Sequence, residues 1–316
     1  RGHVCTIWID DPMNLTPEGA SVLRGTIREH FRPLGAAVFK GFDAWFGADV
    51  VVATGWQTVY PSMLLPDCAA RAYLVQDNEP DFYAASAERE FAESTYRMGL
   101  HGIAASPWLA SEVVRRGGTC GVFDLTADHE LYRPRAMERS GNTVAFYART
   151  ETPRRGVAIG ALALEEVHRR RPNTRIVSFG TRFPTSVAAP TESAGILDSD
   201  GLARLYSEAT VGLCLSLTNY SLIPGEMLAC GLPCVDVDHP SAVGVFGEDG
   251  PVAFAKLEVG AIADRVISLL DDPDERDRRS RDGIAFIAGR TWEHAGQQVE
   301  TELRRALELA GAATPA

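Results

Sequence analysis

Short apolar runs alternate along the chain with amphipathic stretches, and the alternation repeats. From Val4, "VCTIWI" reads as a buried strand, "TPEGASVLRGTIREHF" as a helix, and "ADVVVAT" as a strand running into a polar loop, "GWQTVYP". The same pattern predicts a strand at "RAYLVQD", a helix at "SAEREFAESTYRMG", a short strand at "GIAAS" and a helix at "PWLASEVVRRG", with Pro107 near its start and a Gly stop. Strands separated by helices of this length form right-handed βαβ units and a parallel sheet.

Residues 128 to 143, "DHELYRPRAMERSGNT", lose the periodicity and carry Pro134 and Gly141, as a domain linker does. Beyond them the alternation restarts: strands at "TVAFYA", "RIVSFG", "VGLCLSL" and "PCVDV", with helices at "GVAIGALALEEVHRRRP", "SDGLARLYSEA" and "GEMLACG". Two doubly wound parallel-sheet α/β domains follow, over residues 1–138 and 139–290. In a last helix, 291–316, Trp292, Ala295, Val299, Leu303, Ala306, Leu307 and Ala310 form one apolar stripe that must pack on a domain. Thr291 is its expected cap. The chain opens on Arg1 directly before a strand, so the N-terminal domain is expected to be incomplete.

With 316 residues, 45% of them hydrophobic, the chain can bury two cores. A net charge of -11 with scattered arginines disfavours a nucleic-acid partner. No apolar run is long enough to span a bilayer, although a peripheral membrane contact stays open. The six cysteines show no CxxC pair and no histidine at ligand spacing, which suits buried, reduced thiols in a cytoplasmic protein. "DSD" at 198–200 opens a helix and reads as a cap rather than a metal motif, so no metal is expected.

In an open parallel sheet, ligands gather beyond the carboxyl ends of the strands. "TNYSLIPG", residues 218–225, lies there, and the first turn of "GEMLACG" would hold an anionic group. Glu226 would accept from a pair of sugar hydroxyls, or simply complement the helix dipole. "YARTETPRRG" places Arg149, Arg154 and Arg155 on a loop at the same edge, where guanidinium groups suit phosphate oxygens. In the first domain Trp56 and Gln57 would line the cleft or pack as a loop. Gln76, Asp77 and Glu79 close a strand in "YLVQDNEPDFY", with the two acids free to orient an acceptor hydroxyl or to cap the next helix. His101, His129 and His168 show no partner in the sequence.

Arg149 with Arg154, and Glu226 followed by "MLACGLP", resemble the C-terminal half of a retaining family 4 glycosyltransferase of the GT-B fold over residues 143–300. "QDNEP", "ATGWQT" and "TPRRG" are similar to the WsaF-type rhamnosyltransferases. That family has an E-x7-E pattern whose second Glu holds the nucleotide ribose; Glu226 matches it, while Thr218 stands where the first, near the donor sugar, would be. The resemblance implies a nucleotide diphosphosugar donor, a glycan or lipid-linked glycan acceptor and retention of configuration, at the cytoplasmic face of a membrane or free of it. Arg149, Arg154, Glu226 and Asp77 would then be catalytic. Arg155, Thr218, Asn219, Tyr220, Ser221, Leu222 and Gly180 would bind the donor, and Trp56, Gln57, Gln76 and Glu79 would face the acceptor. A nucleotide-sugar epimerase of the same fold and a catalytically silent binding module are the alternatives.

Overall fold

A computed structural model describes residues 2–11, 19–30, 35–181 and 189–313. The first elements are β1 (Thr6–Ile9), α1 (Ala20–His30) and β2 (Ala37–Lys40), with β1 and β2 paired in parallel. The ends of the helix expected over 16–31 lie outside the described residues. There follow β3 (Ala48–Ala53), α2 (Trp56–Leu64), β4 (Cys68–Val75), α3 (Ala87–Thr95), β5 (His101–Ala104), α4 (Pro107–Arg115) and β6 (Thr119–Val122). These four strands form a parallel sheet in chain order, β3-β4-β5-β6.

One expectation fails here. "GWQTVYP" is not a loop: Gly55 ends β3's extension, Thr58 Oγ1 accepts from the Thr54 and Gly55 amides at 3.0 and 3.2 Å, and α2 continues through Pro61. The side-chain hydroxyl takes up amides that a helix start leaves without partners, which outweighs the poor helix propensity of the segment.

The second sheet contains β7 (Thr143–Tyr147), β8 (Arg175–Phe179), β9 (Thr191–Gly195), β10 (Val211–Leu213), β11 (Cys234–Val237) and β12 (Val252–Ala255). Its helices are α5 (Val157–Arg170), α6 (Ser199–Glu208), α7 (Leu222–Ala229), α8 (Pro240–Phe246), α9 (Val259–Asp271) and α10 (Pro273–Ala288). The strands are parallel in the order β9-β8-β7-β10-β11-β12, so the winding reverses between β7 and β10. Helices therefore cover both faces and β7 is buried along its whole length. Val144, Phe146, Leu164 and Val167 belong to the core on the α5 and α9 side, and Ala145, Tyr147, Tyr206 and Met227 to the core on the other. Asp198 Oδ1 accepts from the Gly201 amide at 2.8 Å, so "DSD" does cap α6.

Sequential right-handed crossovers carry α2, α3 and α4 onto one face of the first sheet and leave the other open. The last helix, α11 (Trp292–Ala313), returns to cover it. Its Thr291 cap accepts from the His294 amide at 3.1 Å, and Ala295, Val299, Leu303, Ala306 and Ala310 join the core of the first sheet.

Candidate functional site

The crevice beyond β7 and β10 is where the strand order reverses, the place where an open parallel sheet separates its loops and admits a ligand. The loop after β7 closes in a 3-10 turn, Pro153–Arg155, ended by Gly156 at φ 55°, a left-handed conformation that glycine adopts without strain. This turn holds two of the three expected arginines.

Arg155 is buried; its Nη1 donates to Ser216 Oγ at 3.3 Å and to the Asn219 carbonyl at 3.5 Å. Arg154 reaches the first domain, with Nε 2.9 Å from Asp77 Oδ2 and its guanidinium 4.1 Å above the Phe82 ring. Burial lowers its pKa from arginine's ordinary value; Asp77 opposes that shift, and the like charges of Arg155 and Arg149 add to it. Arg149 itself is exposed at the rim. Beside it lies Gly180, at φ 93°, where a Cβ would meet the Tyr147 ring at 2.7 Å and Arg149 Cβ at 3.9 Å, so glycine keeps this corner open.

Asp77 Oδ1 accepts from the Asn78 amide at 2.9 Å and from the Asn219 amide at 3.0 Å. The Asn219 side chain is also committed, donating from Nδ2 to the Gln76 carbonyl at 3.1 Å and accepting from Ser106 Oγ at 2.8 Å. Asn219 is therefore a pin between the domains rather than a donor contact. Tyr220 likewise departs from its expected role: it is buried against Phe246, and its hydroxyl accepts from the Leu125 amide at 3.2 Å. Glu79 is buried and accepts from the Trp56 amide at 2.6 Å, holding the start of α2. Burial raises its pKa, with the Trp56 amide offsetting part of that. Gln57 and the Gln76 side chain are exposed.

Across the crevice, α7 begins at Leu222 after Ser221, so Glu226 sits in its second turn and not its first. The first turn is "LIPG", because a proline loses no helical bond there. The helix-dipole account of Glu226 therefore fails. Burial instead raises its pKa to about 7, with Tyr132 offsetting part of the shift. Glu226 Oε2, Thr218 Oγ1 and Ser221 Oγ are buried without a hydrogen-bond partner. Buried polar atoms are nearly always satisfied, and three without partners on one nine-residue segment make it the candidate ligand-binding segment. Leu222 is exposed at the same corner.

Several supports were not foreseen. Asp236 Oδ1 accepts from the Ser216 and Val237 amides, both at 2.8 Å, and fixes the segment that carries Arg155's partner. Ser241 Oγ donates to the Thr218 carbonyl at 2.9 Å and accepts from the Tyr220 amide at 3.0 Å. His239 meets Trp108 of the first domain edge to face at 4.8 Å, and burial lowers its pKa. Only Ser106, an N-cap residue ahead of Pro107, carried a readable signal.

Residues 142–241 match the family model described as WsaF, C-terminal domain. The chain has the two-domain GT-B fold, and the matched part of its second domain is similar to the WsaF C-terminal domain. It is 33% identical over 224 residues to the O-antigen biosynthesis protein RfbC of Myxococcus xanthus, which covers 69% of this chain and 17% of that protein. With the phosphatidyl-myo-inositol mannosyltransferase of Propionibacterium freudenreichii it shares 27% identity over 177 residues, 55% of this chain and 46% of the relative. The chain thus spans less than half the length of either relative. Anabaena HepE in complex with UDP superimposes with a TM-score of 0.73 at 14% identity, over 95% of this chain and 99% of that one. The WsaF-type match includes Arg149, Arg154, Arg155, Thr218 and Glu226. Among the described residues, no group of three or more His, Cys, Asp or Glu side chains is placed to hold a metal ion, and no helix is long and apolar enough to cross a membrane.

Proposed function

We propose that this chain transfers a sugar from a nucleotide diphosphosugar to a hydroxyl of a glycan, with retention of anomeric configuration. The reading is carried by three clustered arginines after β7 and three orphaned buried oxygens after β10, both on segments that follow the two strands at the switch point of the second sheet. Arg149, Arg154 and Arg155 suit the diphosphate, Glu226 the ribose, and Thr218 and Ser221 the donor sugar, with Gly180 and Leu222 bordering the pocket. As the glycosidic bond breaks, negative charge grows on the diphosphate. Preorganised guanidinium groups stabilise it in place, and no metal is needed for that role. Asp77, fixed by two amides, orients the acceptor hydroxyl once the diphosphate has taken over Arg154.

The WsaF-type similarity supports L-rhamnose as the sugar, and the name of the Myxococcus relative supports a surface glycan as the acceptor. We assign acceptor binding to the first domain and donor binding to the second, and place the enzyme in the cytosol, where nucleotide sugars are made. Incubation with a panel of nucleotide sugars, dTDP-rhamnose first, and a neutral oligosaccharide tests the reading by NMR of the product. The expected result is a new glycoside with the donor's anomeric configuration, and a loss of kcat/KM in Arg154→Ala of about a hundredfold. Formation of an epimer without acceptor would assign the pocket to epimerisation.

A further inference from the structure

The first-domain wall of the crevice is aromatic. Phe82, 39% exposed, lies under Arg154, and its neighbour Tyr83 accepts from Trp56 Nε1 at 3.0 Å. The Trp56 ring stands 6.1 Å from Tyr83 and 6.4 Å from Phe91, which is 51% exposed. Tyr60 braces the far end, donating from its hydroxyl to the Phe91 carbonyl at 3.0 Å. Trp56, Tyr60, Tyr83 and Phe91 thus form one ring cluster, which begins at the residue after Phe82 and is braced by hydrogen bonds from Trp56 and Tyr60.

The rim of this surface is acidic. Asp81, Glu88 and Glu90 are exposed on the segment that carries Phe82, Tyr83 and Phe91, while Glu93 beyond them pairs with Arg116 at 3.1 Å. Arg89, the cation on the same turn of α3, is 3.2 Å from Asp81. An anionic headgroup or a uronic-acid polymer approaching Phe91 would meet like charge, and an anionic membrane attracts basic rather than acidic segments. A pyranose ring suits the wall, because its axial C–H groups carry partial positive charge and the aromatic faces are negative.

We propose that Phe82, Tyr83, Trp56 and Phe91 form the acceptor subsite, and that the acceptor is an uncharged glycan chain rather than an anionic lipid or acidic polysaccharide. This rests on the glycosyltransferase reading. The wall begins under the residue that grips the diphosphate, so a chain stacked on it would present its end to the donor sugar.

The test titrates the full chain with three probes while following tryptophan emission: a neutral rhamno-oligosaccharide, an oligogalacturonate of the same length, and vesicles of phosphatidylglycerol and phosphatidylethanolamine. The neutral oligosaccharide is expected to bind. Phe91→Ser should weaken it about tenfold, Phe91→Tyr should restore it, and Val114→Ser, an exposed apolar change elsewhere, should leave it unaltered. Binding of UDP, GDP and dTDP is measured on the same preparations. Loss of all nucleotide binding would overturn the glycosyltransferase reading. Nucleotide binding without neutral-glycan binding, vesicle binding that Phe91→Ser removes, or glycan binding indifferent to Phe91→Ser would each overturn this proposal alone.

Discussion

Glu226 is the residue whose chemistry turns most on where its proton sits. Burial raises its pKa from 4.5 to about 7, so the folded chain keeps a proton that the unfolded chain has lost between those values. The folded state binds more protons there, and its stability falls as pH rises through the window. Asp236, raised from 3.8 to about 7 by complete burial, acts in the same direction. A ribose needs the opposite state, because only the carboxylate accepts from both hydroxyls. Nucleotide affinity is therefore expected to rise about tenfold between about pH 6 and about pH 8 by calorimetry, and to be flat in Glu226→Gln. A flat wild-type profile would remove Glu226 from the pocket. The placement of Arg149 and Arg154 after β7 and of Glu226 after β10 was legible from the apolar runs that precede them. Asn219 was not, because its partners Gln76, Asp77 and Ser106 lie more than a hundred positions away.

At the scale of elements, long amphipathic segments such as α5, α9 and α11 could be read directly, since one face of each is apolar. β6, β9 and β12 could not: each is four or five residues and lies at the edge of its sheet. α2 was hidden by Pro61 and its aromatic residues, α8 by its length of seven residues. Of the α11 stripe, Ala295, Val299, Leu303, Ala306 and Ala310 pack as expected while Trp292 and Leu307 stay exposed, and the target of the packing follows from the one-way winding of the first sheet. His101, without a visible partner in the sequence, lies between Thr119 at 2.9 Å and Glu302 of α11 at 2.8 Å. Leu303→Ala should then destabilise the first domain by about 2 kcal/mol in denaturant unfolding while leaving nucleotide affinity unchanged. Equal loss of both would mean that α11 supports the second domain instead.

Over the whole molecule, the two domains are tied where the chain crosses between them, at the rim, and where Trp108 meets His239. The chain crosses between them near Asp124 and again near Arg290. The crossings are bound together by Arg290 Nη1 to Asp124 Oδ1 at 2.7 Å and by Thr126 Oγ1 to the Arg290 carbonyl at 2.8 Å. At the rim, Asp77 holds Arg154 and the Asn219 amide. Arg154 Nε has no aligned hydrogen-bond acceptor despite its short distance to Asp77. A diphosphate would offer that guanidinium better-directed oxygens, and the proposed function predicts that the rim contact exchanges when the donor enters. Calorimetric titration of UDP, GDP and dTDP into the wild type and Arg154→Ala measures this directly. The account predicts saturable binding of at least one nucleotide, weakened at least tenfold by the substitution. No binding at millimolar nucleotide, or equal affinity in the two proteins, would contradict it.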